Sequence, residues 1–475
     1  MDAPGGGGSF LSKAAEALWL EDVLANGHLF QSRRRPAPPG QRVSWRIGTS
    51  VMPLREAQRR RLVEIGEDLW ALALAEQEIY HRASRDADLR FVQEYLDQGK
   101  PEELVRFSQM RRLRGQRPPF LRPDLLVLAD GAFVATEIDS VPGGFGELGA
   151  LQDVYASLGQ DVLGGPAGIP DAFWRAMQET AGKAEPVVAI VVSQESEDYR
   201  PEMEHLALSL RRQGRHASCV GPKDVVFHED GLYVEGERVD VLYRFFELFD
   251  LRNVPKADLF LYAQRKGLVQ LTPPIRPQFE EKLWFALLHH PLLTDHWQDL
   301  LGVERLGRLR ALIPESYVLD PRPVPPHAVV AGLELAGRPV RDVARIAEMS
   351  KRERARWVLK PSGFSPLAWG SRGVHIGEDT PQEVWAEVTS QALRDFARTP
   401  WILQRYHKAA VLHQDYYDFA AGQVVDMAGR ARLCPYYFHT AAGVELGGVL
   451  ATICPQDKKV LHGMVDAIMV PAGGL

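Results

Sequence analysis

Cysteine is scarce in this 475-residue chain: Cys219, Cys434 and Cys454 stand far apart, and no C-x-x-C pair occurs. An odd, scattered set supports neither a disulfide framework nor a cysteine zinc site, and it suits a reducing compartment. Long apolar runs are missing as well, since no window approaches the ~18 consecutive apolar residues that a membrane helix needs. Residues 1–9 are glycine-rich, with no cationic region ahead of an apolar stretch. No secretory signal is read there, and the cytoplasm is the expected location. Charge of one sign is also lacking. A formal net charge of -6 gives no electrostatic reason to expect a nucleic acid. The basic clusters Arg33-Arg34-Arg35 and 111–117 are short and diluted by Pro or Gly, as solvated loops are. There is no internal repeat, no histidine set with metal-ligand spacing and no G-x-x-x-x-G-K-[ST] sequence, which excludes a P-loop.

What is present is an ordinary globular composition, 45% hydrophobic and 25% charged, in a chain long enough for two or three domains. Apolar residues recur at helical spacing over 53–96 (Leu62, Ile65, Leu69, Leu72, Leu74), after an amphipathic stretch at 14–24 and an Arg/Pro-rich loop at 32–40. Strand-like runs follow at 124–128 and 132–139, joined by the turn Ala129-Asp130-Gly131, and a helix is expected at 150–158. The β-branched run at 186–193 has the pattern of a strand buried on both faces. With a helix at 201–212 and a strand at 215–220, it predicts a small α/β unit. Further on, a helix is expected at 279–289 and strands at 357–360, 373–376, 401–404, 416–425 and 431–438. Residues 464–469 look helical behind His462-Gly463. The fold class is therefore α/β (α+β), and the expected division is 1–183, 184–270 and 271–475.

Gly144-Phe145-Gly146-Glu147-Leu148-Gly149 formally matches the dinucleotide fingerprint G-x-G-x-x-G. The strand that feeds it ends in Glu137 and Asp139, two carboxylates on one face at i and i+2, which would repel a pyrophosphate unless a cation lay between. The same pair can hold Mg²⁺, a hard cation that takes oxygen ligands with phosphates as co-ligands. It can also simply end a strand in water. Glycines beyond it would let a backbone approach a substrate and offer it N–H groups. Next, Val358-Leu359-Lys360-Pro361 is an apolar strand ending in a lysine beside a Gly/Ser loop. That lysine is well placed to meet phosphate oxygens, with Arg372 as a second cation; a plain strand and surface loop is the alternative. Trp401-Ile402-Leu403-Gln404-Arg405-Tyr406 is a buried strand whose polar end could read the edge of an adenine.

Taken in order, these segments resemble the ATP-grasp family, in its eukaryotic-type glutathione synthetase and glutathionylspermidine synthase branch. The matching segments are Arg122-Pro123-Asp124-Leu125-Leu126, Glu137-Ile138-Asp139-Ser140, the small α/β unit, Glu281-Lys282, Leu359-Lys360-Pro361 and Leu403-Gln404-Arg405-Tyr406, all from Phe120 onward. The resemblance implies an ATP-grasp fold of mixed and antiparallel sheets with a small substrate-binding domain. It implies a ligase that joins a carboxylate to an amine, using ATP and Mg²⁺. Glu137 and Asp139 would be metal ligands, Lys282 and Lys360 phosphate contacts, and Gln404, Arg405 and Tyr406 the adenine lining. Arg122 and Arg244 would hold the carboxylate-bearing substrate, with Ser140, Gly143, Gly144 and Arg432 around it. Arg122, Glu137, Lys360 and Arg372 would serve the chemistry. The expected partners are small molecules, an acid and an amine such as an amino acid, small peptide or polyamine, with neither nucleic acid nor membrane; a homodimer is admissible.

Two departures stand out. No acid lies between Lys360 and Gly377, where the branch has a metal-binding glutamate, so Asp415 and Asp418 become candidates. The branch's E-x-N-x-x-x-Q substrate motif is replaced by Gln-Glu-Ser-Glu-Asp-Tyr-Arg at 194–200, so glutathione is not the expected product. A nucleotide-binding protein without ligase activity and a nicotinamide-dependent enzyme are the alternatives.

Overall fold

The computed structural model describes Glu16, Trp19, Leu20, Leu24 and residues 45–325, 328–461 and 466–474. Of the amphipathic stretch at 14–24, those four positions are helical, with Leu20 and Leu24 buried. The loop at 32–40 and the His462-Gly463 pair lie outside the described residues.

The helical spacing near the start of the chain produces the helix Glu56–Ala83, which buries Leu62, Ile65, Leu69 and Leu72. Leu74, counted in the same periodic set, is instead exposed. This helix lies on the largest sheet. The Tyr437 hydroxyl donates to the Leu62 carbonyl at 2.6 Å, and a Cβ on Gly66 would come within 2.5 Å of the Tyr437 ring. A side chain there would push the helix off the sheet.

That sheet has eight strands and is built around the antiparallel hairpin Gln423–Thr440/Gly443–Pro455. Phe120–Val127 and then the edge strand Phe133–Asp139 extend it on one side. Ala467–Gly474 extends it on the other, with Trp45–Arg46 and Met52–Leu54 parallel to it. Two expectations change here. Residues 416–425 are not one strand, because the Asp418 carboxylate accepts the Ala420 and Ala421 N–H groups and closes a turn with Gly422 at φ +65°. From Ala467 the chain is strand rather than helix, with Ile468 paired to Ile453 and Arg46.

A second sheet is wholly parallel, in the order Gln270–Thr272, Val241–Phe245, Val188–Val192, Ala217–Val220. Every residue of Val188–Val192 is buried, as its unbroken apolar run requires. The helix Arg200–Arg212 makes the crossover from that strand to its neighbour. A third, antiparallel sheet runs Ser316–Val318, Trp401–Arg405, Trp357–Pro361, His375–Ile376. The helix expected at 279–289 divides into a turn of 3-10 helix, Pro277–Glu280, and the helix Leu283–His289. The molecule is thus a mixed α/β structure with parallel and antiparallel sheets. Among the described residues, no helix is long and apolar enough to cross a membrane.

Candidate active site

The hairpin Phe120–Val127/Phe133–Asp139 brings opposite charges into register. Arg122 stands across from Asp139, and Asp124 across from Glu137. Strand alternation sends all four side chains to one face. Arg122 bridges Asp139 at 3.2 Å and Asp124 at 3.3 Å. The neighbouring strand adds Arg432, Cys434 and Tyr436 at the same period of two. Arg432 reaches Asp124 at 2.9 Å, the Cys434 thiol donates to Asp124 at 3.4 Å, and the Tyr436 hydroxyl donates to the Gly143 carbonyl at 2.7 Å. Burial opposes the Asp124 charge, yet Arg432 and Arg122 outweigh it and hold the carboxyl below the ordinary aspartate range. At Asp139 the balance reverses: burial lifts the carboxyl in spite of Arg122 and the Val141 N–H.

Two lysines from other elements converge on this face. Lys282, just ahead of the helix Leu283–His289, forms an ion pair with Glu137. Burial disfavours its ammonium, but Glu137 holds the pKa above that of an ordinary lysine. Lys360, on the strand Trp357–Pro361, donates to the Thr136 carbonyl at 2.8 Å and so ties the third sheet to the first. Burial brings its pKa down to about 8, with Glu137 opposing and Lys282 adding to the fall.

Two cavities meet at these groups. One, of about 270 Å³, is lined by Arg122, Glu137, Asp139, Ser140, Gly143 and Lys282. The other, of about 120 Å³, is lined by Val358, Lys360, Ile376, Gln404, Arg405 and Tyr406. Asp124, Glu137, Lys282 and Arg432 line both, so the two are ends of one site. Each end holds a buried polar atom without a hydrogen-bond partner among the described residues, the Ser140 hydroxyl in the first and the Gln404 amide nitrogen in the second. Buried polar atoms of this kind are normally satisfied, so each is open to a polar group placed in its cavity.

The glycine turn serves a different purpose from the one its sequence suggests. The helix expected at 150–158 is Phe145–Ser157 and starts directly from Gly144, which has φ +97°. Its N-terminal amides are already used: the Glu202 carboxylate accepts from Gly144 N–H at 2.7 Å and Glu147 N–H at 3.4 Å. The missing side chains admit protein rather than substrate. A Cβ on Gly143 would meet the Tyr199 ring at 2.6 Å, and one on Gly146 the Glu202 carbonyl at 1.8 Å. A pyrophosphate at this helix end would have to displace Glu202, which counts against a dinucleotide site.

Other sequence candidates lie elsewhere. Arg244 is 1% exposed and lines neither cavity; its guanidinium donates to the carbonyls of Pro273, Phe246 and Pro274 and pairs with Glu280. Arg372 is exposed and lines neither cavity. Asp415 stands opposite Asp426 in register and Asp418 caps its turn, both away from the cavities. Among the described residues, no three or more His, Cys, Asp or Glu are grouped to hold a metal. The carboxylates that line the first cavity are Glu137 and Asp139, paired with Lys282 and Arg122, together with Asp124, Glu247 and Glu280. Two carboxylates suit Mg²⁺, which usually takes one or two from protein and completes its shell with phosphate and water oxygens.

Sequence reasoning passed over Glu247, Glu280 and Glu202. Burial raises Glu247 and Glu280 above the usual glutamate range, with mutual repulsion adding to it at Glu247. The available signal is Glu247 itself, an acid two residues past the buried strand Val241–Phe245.

No protein-family model matches the chain, and no curated protein matches it in sequence. Solved structures do. A glutathione synthetase-like effector from Globodera pallida, in its apo form, superposes with a TM-score of 0.56 at 10% identity, covering 97% of this chain and 96% of that one. A protein described as a gamma-glutamylcysteine synthetase from Methylobacillus flagellatus KT gives 0.40 at 13% identity, over 91% and 90%. The first likeness establishes a shared glutathione synthetase-like fold; the second is too distant to carry an argument.

Proposed function

We propose that the protein is an ATP-dependent ligase that joins a carboxylate to an amine. The observation that carries this reading is the meeting of Lys282 and Lys360 with the acidic end of the hairpin, Glu137 and Asp139, where two cavities adjoin. The fold shared with the glutathione synthetase-like effector agrees with it. In this reading the second cavity takes the nucleotide. Gln404, with its unpaired amide, reads the base, and Lys360 and Lys282 lie against the phosphates. Mg²⁺ on Glu137 and Asp139, when bound, would neutralise phosphate charge. Arg122 and Arg432, converging on Asp124, present guanidinium groups to the acid substrate. The substrate carboxylate displaces ADP from the γ-phosphoryl group, and the amine then displaces phosphate from the acylphosphate. The loop at 361–373 would exclude water while the acylphosphate exists.

The test is to mix the protein with ATP, Mg²⁺ and pools of amino acids, dipeptides and amines, then to search by mass for condensation products. ADP release that needs both an acid and an amine supports the ligase, and Glu137→Gln should lower that release and raise the Mg²⁺ concentration it needs; unchanged turnover and metal dependence would rule out the metal site. The acid-free loop after Lys360 favours one second reading, a nucleotide-binding protein without turnover. It predicts ATP binding with no ADP release in any pool.

A further inference from the structure

Phe249 lines the main cavity and also a third, larger one of about 780 Å³. The inner wall of the third is apolar, with Leu104, Phe107, Leu248, Leu251, Leu261 and Phe364. Its exposed rim carries Glu103 and Asp258 against Arg106, Arg252 and Arg265, so a second ammonium is not selected there. Two adjacent acids hold the segments between the cavities. Glu280 accepts the Leu248 N–H at 3.3 Å, and Glu281 accepts the Phe364 N–H at 3.2 Å.

On the main-cavity side stands Glu247. Its carboxylate has no hydrogen bond or ion pair among the described residues, and the two cations that act on it, Arg244 and Lys282, are already paired with Glu280 and Glu137. Ser140, 2% exposed and with its hydroxyl unpartnered, lines the same cavity. A carboxylate withdrawn from water without an ion-pair partner of its own is costly, and a cationic ligand reduces that cost. The lining therefore passes from an unpaired acid at Glu247 to an apolar chamber beyond Phe249 within a few residues.

We infer that the amine substrate is a primary amine with an apolar body, its ammonium received by Glu247 and its body passing Phe249 into the third cavity. The inference rests on the ligase reading for the word substrate; the binding site itself does not.

Calorimetric titration of the full chain with n-propylamine through n-hexylamine, with spermidine as a polar control, tests it. Kd should fall about fourfold for each added methylene, as burial of a CH₂ group predicts, and spermidine should bind more weakly than hexylamine. Glu247→Gln should weaken hexylamine about tenfold or more. Leu261→Trp, which fills the third cavity, should weaken hexylamine and spare propylamine. A flat series in the wild-type protein would overturn the inference, as would undiminished hexylamine binding by Glu247→Gln. Titration with a non-hydrolysable ATP analogue separates the two proposals. If the analogue fails to bind while the amine series holds, the subsite stands and the ligase reading falls.

Discussion

Lys360 is buried to 8% exposure with one neutral acceptor, the Thr136 carbonyl, and a second lysine nearby. Its pKa of about 8 lies below the 10.5 of a free lysine, so the folded state disfavours the ammonium. The sign follows from proton counts. Between about 8 and 10.5 the unfolded chain binds more protons, so stability rises with pH across that window. Below it the cost is present in full. Lys360→Met should therefore be more stable than the wild type at pH 7, by about 1–3 kcal/mol, with the advantage shrinking as pH climbs towards 10.5. The same change should weaken ATP binding by about 10- to 100-fold, the value of one charge-assisted hydrogen bond. Melting curves and nucleotide titrations at pH 7 and 9.5 measure both; a variant less stable at pH 7 would contradict the burial argument. A lysine kept at such cost is easier to understand as a ligand contact than as scaffold.

At the scale of elements, the helix Phe145–Ser157 is capped by a carboxylate from another helix. Burial lifts Glu202 to about 7 even though the Gly144 and Glu147 N–H groups favour its charge, and burial with Glu202's repulsion lifts Glu147 to about 8. Raised carboxyls contribute stability that is complete below the unfolded pKa of 4.5 and is lost as pH rises through 7 to 8. Glu147→Gln should remove part of that decline, gaining about 1–3 kcal/mol at pH 9 relative to pH 5. A difference between variant and wild type that stays constant over that range would show the pair does not titrate there.

The loop after Pro361 has its own anchor. Glu281 takes the Ser362 hydroxyl and the Phe364 N–H and pairs with Lys100 at 3.3 Å, both side chains of the pair being fully buried. Lys100→Met strands that carboxylate and should cost about 3 kcal/mol. Limited proteolysis should then cut within 361–373 at least about tenfold faster, and Glu281→Gln in the same chain should restore protection. Unchanged cleavage would mean the pair does not hold the loop.

These elements also show what can be read from a sequence. The charged hairpin is legible because a period of two fixes which side chains share a face before any partner is known. Lys360 is legible because an apolar strand must deliver its last side chain somewhere specific. The glycine turn misleads, because small residues accommodate a neighbouring helix as readily as a phosphate, and the neighbour, Glu202, lies more than fifty positions away. Arg244 misleads for the same reason: its saturating carbonyls and Glu280 come from later in the chain. Glu247 has only the weak signal of an acid just past a buried strand, and the fold sets it in a cavity whose cations are paired with other acids.

For the whole molecule, the candidate site is a junction. Glu137 belongs to the eight-stranded sheet, Lys360 to the antiparallel sheet, and Lys282 to a segment between that sheet and the parallel one. A nucleotide bound as proposed would touch all three, so its binding would couple them. A ligand that binds only the folded chain stabilises it by RT ln(1 + [L]/Kd), about 2.7 kcal/mol at a hundredfold excess over Kd. ATP with Mg²⁺ should therefore raise the melting temperature and move every probe of unfolding together, including tryptophans at Trp284 and Trp297 near Lys282 and at Trp357 and Trp401 in the antiparallel sheet. Lys282→Met removes the partner of Glu137 and the proposed phosphate contact at once, and should abolish the shift while leaving the unliganded melting temperature within a few degrees. If ATP with Mg²⁺ stabilised that variant as strongly as the wild type, the nucleotide would be binding away from the junction, and the reading of Glu137, Lys282 and Lys360 as one site would be lost.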